Sequence, residues 1–194
     1  MSRWSEKLGN SVHFAIEEIP EETFLESFFE NRAFIPENEE ERKEFEDFSF
    51  VSSALALAVY TALADGEVSE KEEEQIVKEI MIQIQQHYYE YEELAAGFGS
   101  SDEKIVTSLY DIYKKEILTK VFDLQKTIAL INKFYGKNPY KKFYLIRLCY
   151  LVAFTDSLNN NQELNRVTEL ARQLHVDVEE KDRIRNEVMA KLKK

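Results

Sequence analysis

Two stretches of sequence decide the fold, residues 54–64 (ALALAVYTALA) and residues 143–154 (FYLIRLCYLVAF). As helices, both are apolar on nearly every side. A helix without a polar face must be surrounded by other helices, so we expect these two to be the central helices of the protein. The second stretch has 12 residues and contains Arg147, whereas a membrane-spanning helix needs about 20 apolar residues. We therefore predict no transmembrane segment.

The rest of the chain has apolar residues at helical spacing. The sets are Ile76, Ile80 and Ile84; Leu124, Ile128, Ile131 and Tyr135; Leu164, Val167, Leu170 and Leu174; and Ile184, Val188 and Leu192. Each set lines one face of a helix. Only 5 Gly and 3 Pro interrupt the chain, and alternating strand patterns are scarce. The sequence predicts an all-α, single-domain helical bundle of about seven to nine helices.

Composition excludes several classes of function. The 194 residues include 25 Lys+Arg and 37 Asp+Glu, a net charge of −12, and 44% of them are hydrophobic, too many for a disordered acidic chain. An acidic surface repels phosphates and anionic lipids, so we expect protein partners and no nucleic acid. Residues 1–10 (MSRWSEKLGN) lack the apolar region of a secretory signal, and the single cysteine cannot form an internal disulfide. We expect a cytoplasmic protein.

Charge and aromatic content suggest two regions. Residues 1–100 carry a net charge of −17 and residues 101–194 a net charge of +5. Residues 1–49 combine the acidic run 37–47 (ENEEERKEFED) with many phenylalanines. Exposed aromatic patches aggregate or bind, so we predict that residues 1–49 form a helical arm that packs on a helical domain of residues 50–194. The alternative is an arm that docks a partner.

The two central stretches belong to an internal repeat with an offset of 91 residues. The offset superposes Leu57 on Leu148, Ala62 on Ala153, Asp65 on Asp156, and Glu72 on Glu163. Each copy reads as a buried helix, an Asp at its end, a short turn, and a second helix with Glu in its first turn. We predict half-repeats at about residues 50–95 and 140–175, related by a pseudo-two-fold axis.

The repeated acidic positions have two interpretations. An Asp at a helix C-terminus meets the negative end of the helix dipole, which costs some tenths of a kcal/mol, so Asp65 and Asp156 need compensation. Each Asp could accept N–H groups of its own turn while the Glu caps the next helix. Alternatively, Asp and Glu bind a hard divalent cation such as Ca²⁺, Mg²⁺ or Mn²⁺ through oxygen. An EF-hand is excluded, because the required Gly and Glu positions hold Glu70 and Ile76.

The first copy, residues 63–72 (LADGEVSEKE), resembles the signature of the TerB-like tellurite-resistance proteins, which also occurs in J-domain co-chaperones with a TerB-like region. The resemblance covers roughly residues 50–175. It implies an all-helical domain with two related halves and an acidic motif in each, thought to bind metal in some members. It places the metal ligands at Asp65, Glu67, Glu72, Asp156 and Glu163. The second motif departs from the signature because it lacks the Gly.

Signatures of catalysis are absent from the sequence, which has no nucleophile elbow, no P-loop, no H-E-x-x-H and no C-x-x-C. We expect a non-enzymatic module that binds a divalent cation and acts through protein partners in a bacterial stress response. The alternatives are a helical scaffold without metal and, less favoured, a metal-dependent hydrolase. A basic cluster with aromatic residues between positions 133 and 147 suggests intramolecular or partner-protein electrostatics. Its members are Lys133, Phe134, Tyr135, Lys137, Tyr140, Lys141, Lys142, Phe143, Tyr144 and Arg147.

Overall fold

The structure, a computed structural model, describes residues 38–88, 99–156 and 161–192. Within these ranges the chain forms seven α-helices and no strand, which confirms the all-α class and the expected number of helices. The helices are α1 (Glu39–Ala62), α2 (Glu70–Tyr88), α3 (Gly99–Leu118), α4 (Leu124–Tyr135), α5 (Pro139–Ala153), α6 (Asn161–Gln173) and α7 (Val178–Leu192). None of the helices in these ranges is both long and apolar enough to cross a bilayer.

The chain packs as two compact units, and two helices pass from one unit to the other. The first unit holds the described residues of Met1–Leu55 together with Val77–Asp123, and the second holds Ala56–Ile76 and the described residues of Leu124–Lys194. Helices α1 and α2 therefore each contribute to both units. All of the acidic positions singled out by the repeat lie in the second unit.

The first unit has an interior in which polar groups are mixed with apolar ones. Leu55 of α1 and Leu109 of α3 are almost completely buried, as is the ring of Tyr113. The Tyr113 hydroxyl shares a hydrogen bond with the hydroxyl of Ser52, also buried. Burial raises the pKa of Tyr113 well above its ordinary value, so this phenol stays neutral.

Helix α5 is the centre of the second unit. It contacts α4, α6 and α7, and it is buried on nearly every side, as the apolar stretch predicted. Its start is fixed by Asn138, whose side-chain oxygen accepts the backbone N–H of Lys141 at 3.2 Å, and by Pro139 as the first helical residue. The last two turns of α1 are equally buried from Ala56 to Val59. Both predicted central stretches are therefore interior helices.

The amphipathic faces agree with the sequence, with three positions half-buried and one exposed. The half-buried positions are Ile84, Leu124 and Leu164. Val167, Leu170 and Leu174 of the α6 face are fully buried, and so are Ile184 and Val188 of α7. Leu192, predicted to continue the α7 face, is 45% exposed. It is the last residue of the helix, where fewer neighbouring side chains are available to cover it.

The predicted N-terminal arm falls largely outside the described residues, which begin at residue 38. The predicted boundary between residues 49 and 50 lies inside α1, which is continuous from Glu39 to Ala62. The packing of residues 1–49 on the domain of residues 50–194 therefore stays a prediction.

Candidate functional site: paired acidic turns

The two predicted half-repeats have the same local structure where their helices end. Helix α1 ends at Ala62 and α5 at Ala153, and the following helices begin at Glu70 and Asn161, so both boundaries are offset by 91 residues. The hydrogen bonds of the last turns match as well. Leu63 and Phe154 donate their N–H groups to the carbonyls of Val59 and Tyr150, at 3.0 and 3.1 Å. The backbone therefore matches at the two turns with the offset of the repeat, and the half-repeats as a whole stay a prediction.

The first acidic turn is held by its own side chains. The Asp65 carboxylate accepts the backbone N–H of Glu67 at 3.3 Å, and Gly66 between them has φ +100°, a conformation that other residues rarely adopt. Ser69 and Glu72 form a reciprocal capping box. Glu72 accepts the Ser69 N–H at 2.8 Å, and Ser69 Oγ accepts the Glu72 N–H at 3.2 Å. These bonds are the ones expected if Asp65 only accepts N–H groups of its own turn and Glu72 only caps the next helix.

The second turn has equivalent residues at its two ends. Asp156 follows the end of α5 and is exposed, as Asp65 is after α1. Glu163 is the third residue of α6, just as Glu72 is the third residue of α2. Residues 157–160 between these ends, which include Asn159 and Asn160, lie outside the described residues.

The central feature of the site is a contact between the two buried glutamates. Glu72 is 4% exposed and Glu163 2% exposed, and their carboxyl groups are hydrogen-bonded to each other. Two carboxylates cannot form a hydrogen bond unless one of them carries a proton. Burial, then the hydrogen bond and charge of Glu72, and then the charges of Asp65 and Asp156 raise the pKa of Glu163 to about 9. The pair therefore holds one proton at neutral pH, and the raised pKa assigns it to Glu163.

Three of the other four predicted site residues act electrostatically on Glu163. Asp65, Glu72 and Asp156 all act on Glu163, so the structure brings together carboxyl groups that are up to 98 positions apart in sequence. Glu67 is exposed and is connected to this set by its backbone N–H. Within the described ranges no group of three or more His, Cys, Asp or Glu side chains is arranged to hold a metal ion.

An arginine beside the acidic turns was not singled out in the sequence. Arg166 donates from Nη1 to the carbonyl of Tyr60, and its guanidinium carbon lies 4.4 Å from the centre of the Tyr60 ring. Tyr60 lies in the last turn of α1, where carbonyls lack helical partners. A cation at this position stabilises the negative end of the helix dipole next to Asp65. The only sequence signal was its position three residues after Glu163, on the same side of α6.

The cysteine next to the site is structural. Cys149 of α5 is fully buried and is hydrogen-bonded to the side chain of Thr61 in α1. Burial raises the pKa of its thiol to about 12, so no thiolate is present as a metal ligand or nucleophile. Cys149 therefore packs as a small buried hydrophobic residue.

Comparison with known proteins identifies a family for the part of the sequence that forms this site. A family model described as tellurite resistance protein TerB matches residues 52–186. The match includes both acidic turns and every residue pair named for the repeat, from Leu57 to Glu163. The comparison with curated proteins found no match, and neither did the comparison with solved structures.

Proposed function

The chain belongs to the tellurite resistance protein TerB family, and from this premise we propose that it is a non-enzymatic module that binds a divalent cation at its paired acidic turns. It acts through protein partners in the bacterial cytoplasm, in a stress response of the tellurite-resistance type. The observation that supports the cation is the buried pair of Glu72 and Glu163 with Asp65 and Asp156 acting on it.

The donor chemistry fits a hard cation. The set contains carboxylate oxygens alone, which Ca²⁺, Mg²⁺ and Mn²⁺ prefer, and no thiolate or imidazole. Carboxylates crowded in a buried site repel one another, and the chain relieves the repulsion by keeping a proton on Glu163. A divalent ion relieves it more completely, because it attracts both carboxylates once the proton has left.

The five residues have different roles in this proposal. Glu72 and Glu163 are the inner ligands, since they are buried and already in contact. Asp65 and Asp156 are exposed at the ends of α1 and α5, where they add negative charge. In the described structure they are not arranged with the glutamates around one ion position, so the proposal requires them to move towards the ion when it binds. Glu67 supplements the first turn. The carboxylates of Asp65 and Glu72 have lone pairs beyond those that accept the Glu67 and Ser69 N–H groups.

A second candidate, a helical scaffold without metal, is favoured by the capping box itself. The bonds of Glu72 to Ser69 and of Asp65 to Glu67 satisfy these carboxylates without any ion. The shared proton does the same for Glu163. In this case the acidic turns only terminate and start helices, and the protein acts through its surface.

Calorimetric titration of Ca²⁺, Mg²⁺ and Mn²⁺ into the full chain separates the two candidates. We expect saturable binding to the native protein and none to the double variant Asp65→Asn with Glu163→Gln. The matched control is Glu74→Gln, an exposed residue of α2 two positions from Glu72, which should bind as the native protein does. Equal binding by all three proteins, or no binding by the native one, would refute the metal site and favour the scaffold.

Stability offers an independent readout of the same binding. A cation at 100 times its Kd stabilises the folded state by about 2.7 kcal/mol. For a chain of this length, that raises Tm by roughly 5–10 °C. The double variant should show no shift with the same ion.

A further inference from the structure

The longest stretch without an acidic residue covers residues 124–155, that is, α4, the connection after it, and α5. It contains six basic residues, so its net charge is +6 in a chain whose net charge is −12. Asp156, the start of the second acidic turn, follows this stretch directly. Positive charge in this protein is therefore concentrated on one helical hairpin of the second unit.

The exposed end of this hairpin presents aromatic rings among its lysines. We call this surface the hairpin patch and define it as Lys133, Phe134, Lys137, Tyr140 and Lys141. Phe134 is 41% exposed and Tyr140 is 79% exposed, the highest value among the large hydrophobic side chains of the described ranges. The Lys133 ammonium lies 5.5 Å from the centre of the Phe134 ring, a cation–π distance. Charge and apolar surface are thus adjacent.

The connection that carries the hairpin patch is tightly built. A Cβ on Gly136 would lie 2.4 Å from the Asn132 carbonyl oxygen, so this turn excludes every larger residue. Asn138 caps α5 two residues later by accepting the N–H of Lys141. A surface held in one conformation loses less entropy on binding than a flexible one.

Other basic residues of the same stretch are engaged inside the unit. Lys142 is buried and donates to the Leu174 carbonyl at 3.0 Å, and Arg147 is paired with Glu187. Lys133 and Lys137 are exposed, and neither forms an ion pair with a carboxylate of the described ranges. These two lysines of the patch are therefore available to an outside anion.

We propose that the hairpin patch binds an acidic segment of a partner protein that carries an apolar anchor. Exposed Tyr and Phe side chains are typical binding anchors, and lysines beside them select a segment of opposite charge. The Debye length at physiological salt is about 8 Å, so the charges of a short bound segment are largely screened from acidic residues outside the patch. A nucleic acid or an anionic membrane extends further and meets a chain of net charge −12, which repels it.

The inference rests on the part of the proposed function that assigns a protein partner, and it is independent of the metal. The test uses the full chain in the presence of a chelator. Its probe is a fluorescently labelled synthetic peptide rich in Asp and Glu with one Phe, followed by anisotropy. We expect saturable binding that weakens with added salt.

Variants locate the binding. Reversal of two patch charges by Lys133→Glu with Lys137→Glu should weaken binding by about tenfold or more, and Tyr140→Ala should weaken it without changing the salt dependence. The matched control, Lys78→Glu with Lys191→Glu, reverses two exposed lysines outside the patch and should bind within about twofold of the native chain. Circular dichroism and Tm confirm that each variant is folded.

Two outcomes would overturn the inference. One is an equal effect of the patch and control variants. The other is tighter binding of anionic vesicles or of a single-stranded oligonucleotide than of the peptide. Because the chelator removes any cation, peptide binding without a response to cations would refute only the metal part of the proposed function. A cation response without peptide binding would refute only this inference.

Discussion

Replacing Glu163 by glutamine should stabilise the cation-free protein at neutral pH. The folded chain keeps a proton on this buried carboxyl, whose pKa is raised to about 9 by burial, by Glu72 and by the two aspartates. The unfolded chain releases that proton near the ordinary value of 4.5. Glutamine has the same shape, donates a hydrogen bond to Glu72 without needing a proton, and has no charged form that burial would disfavour.

The size of the effect follows from proton linkage. Between pH 4.5 and 9 the unfolded state binds fewer protons than the folded state, so the free energy of unfolding falls as pH rises. Each pH unit contributes about 1.4 kcal/mol. At pH 7 the free energy of unfolding of the native chain has therefore fallen by up to about 3 kcal/mol, whereas that of Glu163→Gln has not. This difference corresponds to a Tm that is higher for the variant by up to roughly 6–12 °C. At pH 4.5 the two proteins should differ little.

Urea unfolding at pH 4.5, 6, 7 and 8 in the presence of a chelator measures this difference directly. The expected result is a stability gap between variant and native chain that widens with pH. The control is Glu74→Gln, an exposed change on α2, for which the gap should stay near zero at every pH. A Glu163→Gln protein that is less stable than the native chain by the same amount at each pH would refute the proton assignment.

Three further predictions concern the residues around the site. Cys149 is fully buried with a raised thiol pKa, so it should react with Ellman's reagent only upon unfolding; stoichiometric reaction of the native chain would contradict its burial. Arg166→Ala should cost about 1–3 kcal/mol in urea unfolding, because it leaves the Tyr60 carbonyl without its charged donor, whereas exposed Arg172→Ala should cost less than about 0.5 kcal/mol; equal effects would show that the contact contributes nothing. Ser69→Ala removes the acceptor at the start of α2 and should cost about 1 kcal/mol in the same assay, and an unchanged midpoint would mean that the capping box is not formed in solution.

Much of the fold could be predicted because its signals are local. The apolar stretches 54–64 and 143–154 have no polar face and are interior in the structure. The capping box of Ser69 and Glu72 and the cap of Asp177, which accepts the Glu180 N–H at 2.8 Å, depend on residues three positions apart. Leu192 lies on the predicted face of α7 but is exposed, because periodicity does not show where the neighbouring helices end.

The site could be predicted only in part, because its decisive contact is long-range. The 91-residue offset identified Glu72 and Glu163 as equivalent residues, and the resemblance named both among the ligands. That their carboxyl groups meet depends on how α2 and α6 pack, and no spacing in the sequence encodes this. The link from Arg166 to Tyr60 spans 106 positions and was missed for the same reason.

The most direct test of the central claim, that the paired acidic turns bind a divalent cation, is a crystal structure of the full chain grown with Mn²⁺ and measured for its anomalous signal. We expect an anomalous peak within bonding distance of Glu72 and Glu163, with the hydrogen bond between their carboxyl groups broken. A structure in which the two carboxyl groups still share a proton and no peak lies beside them would contradict it.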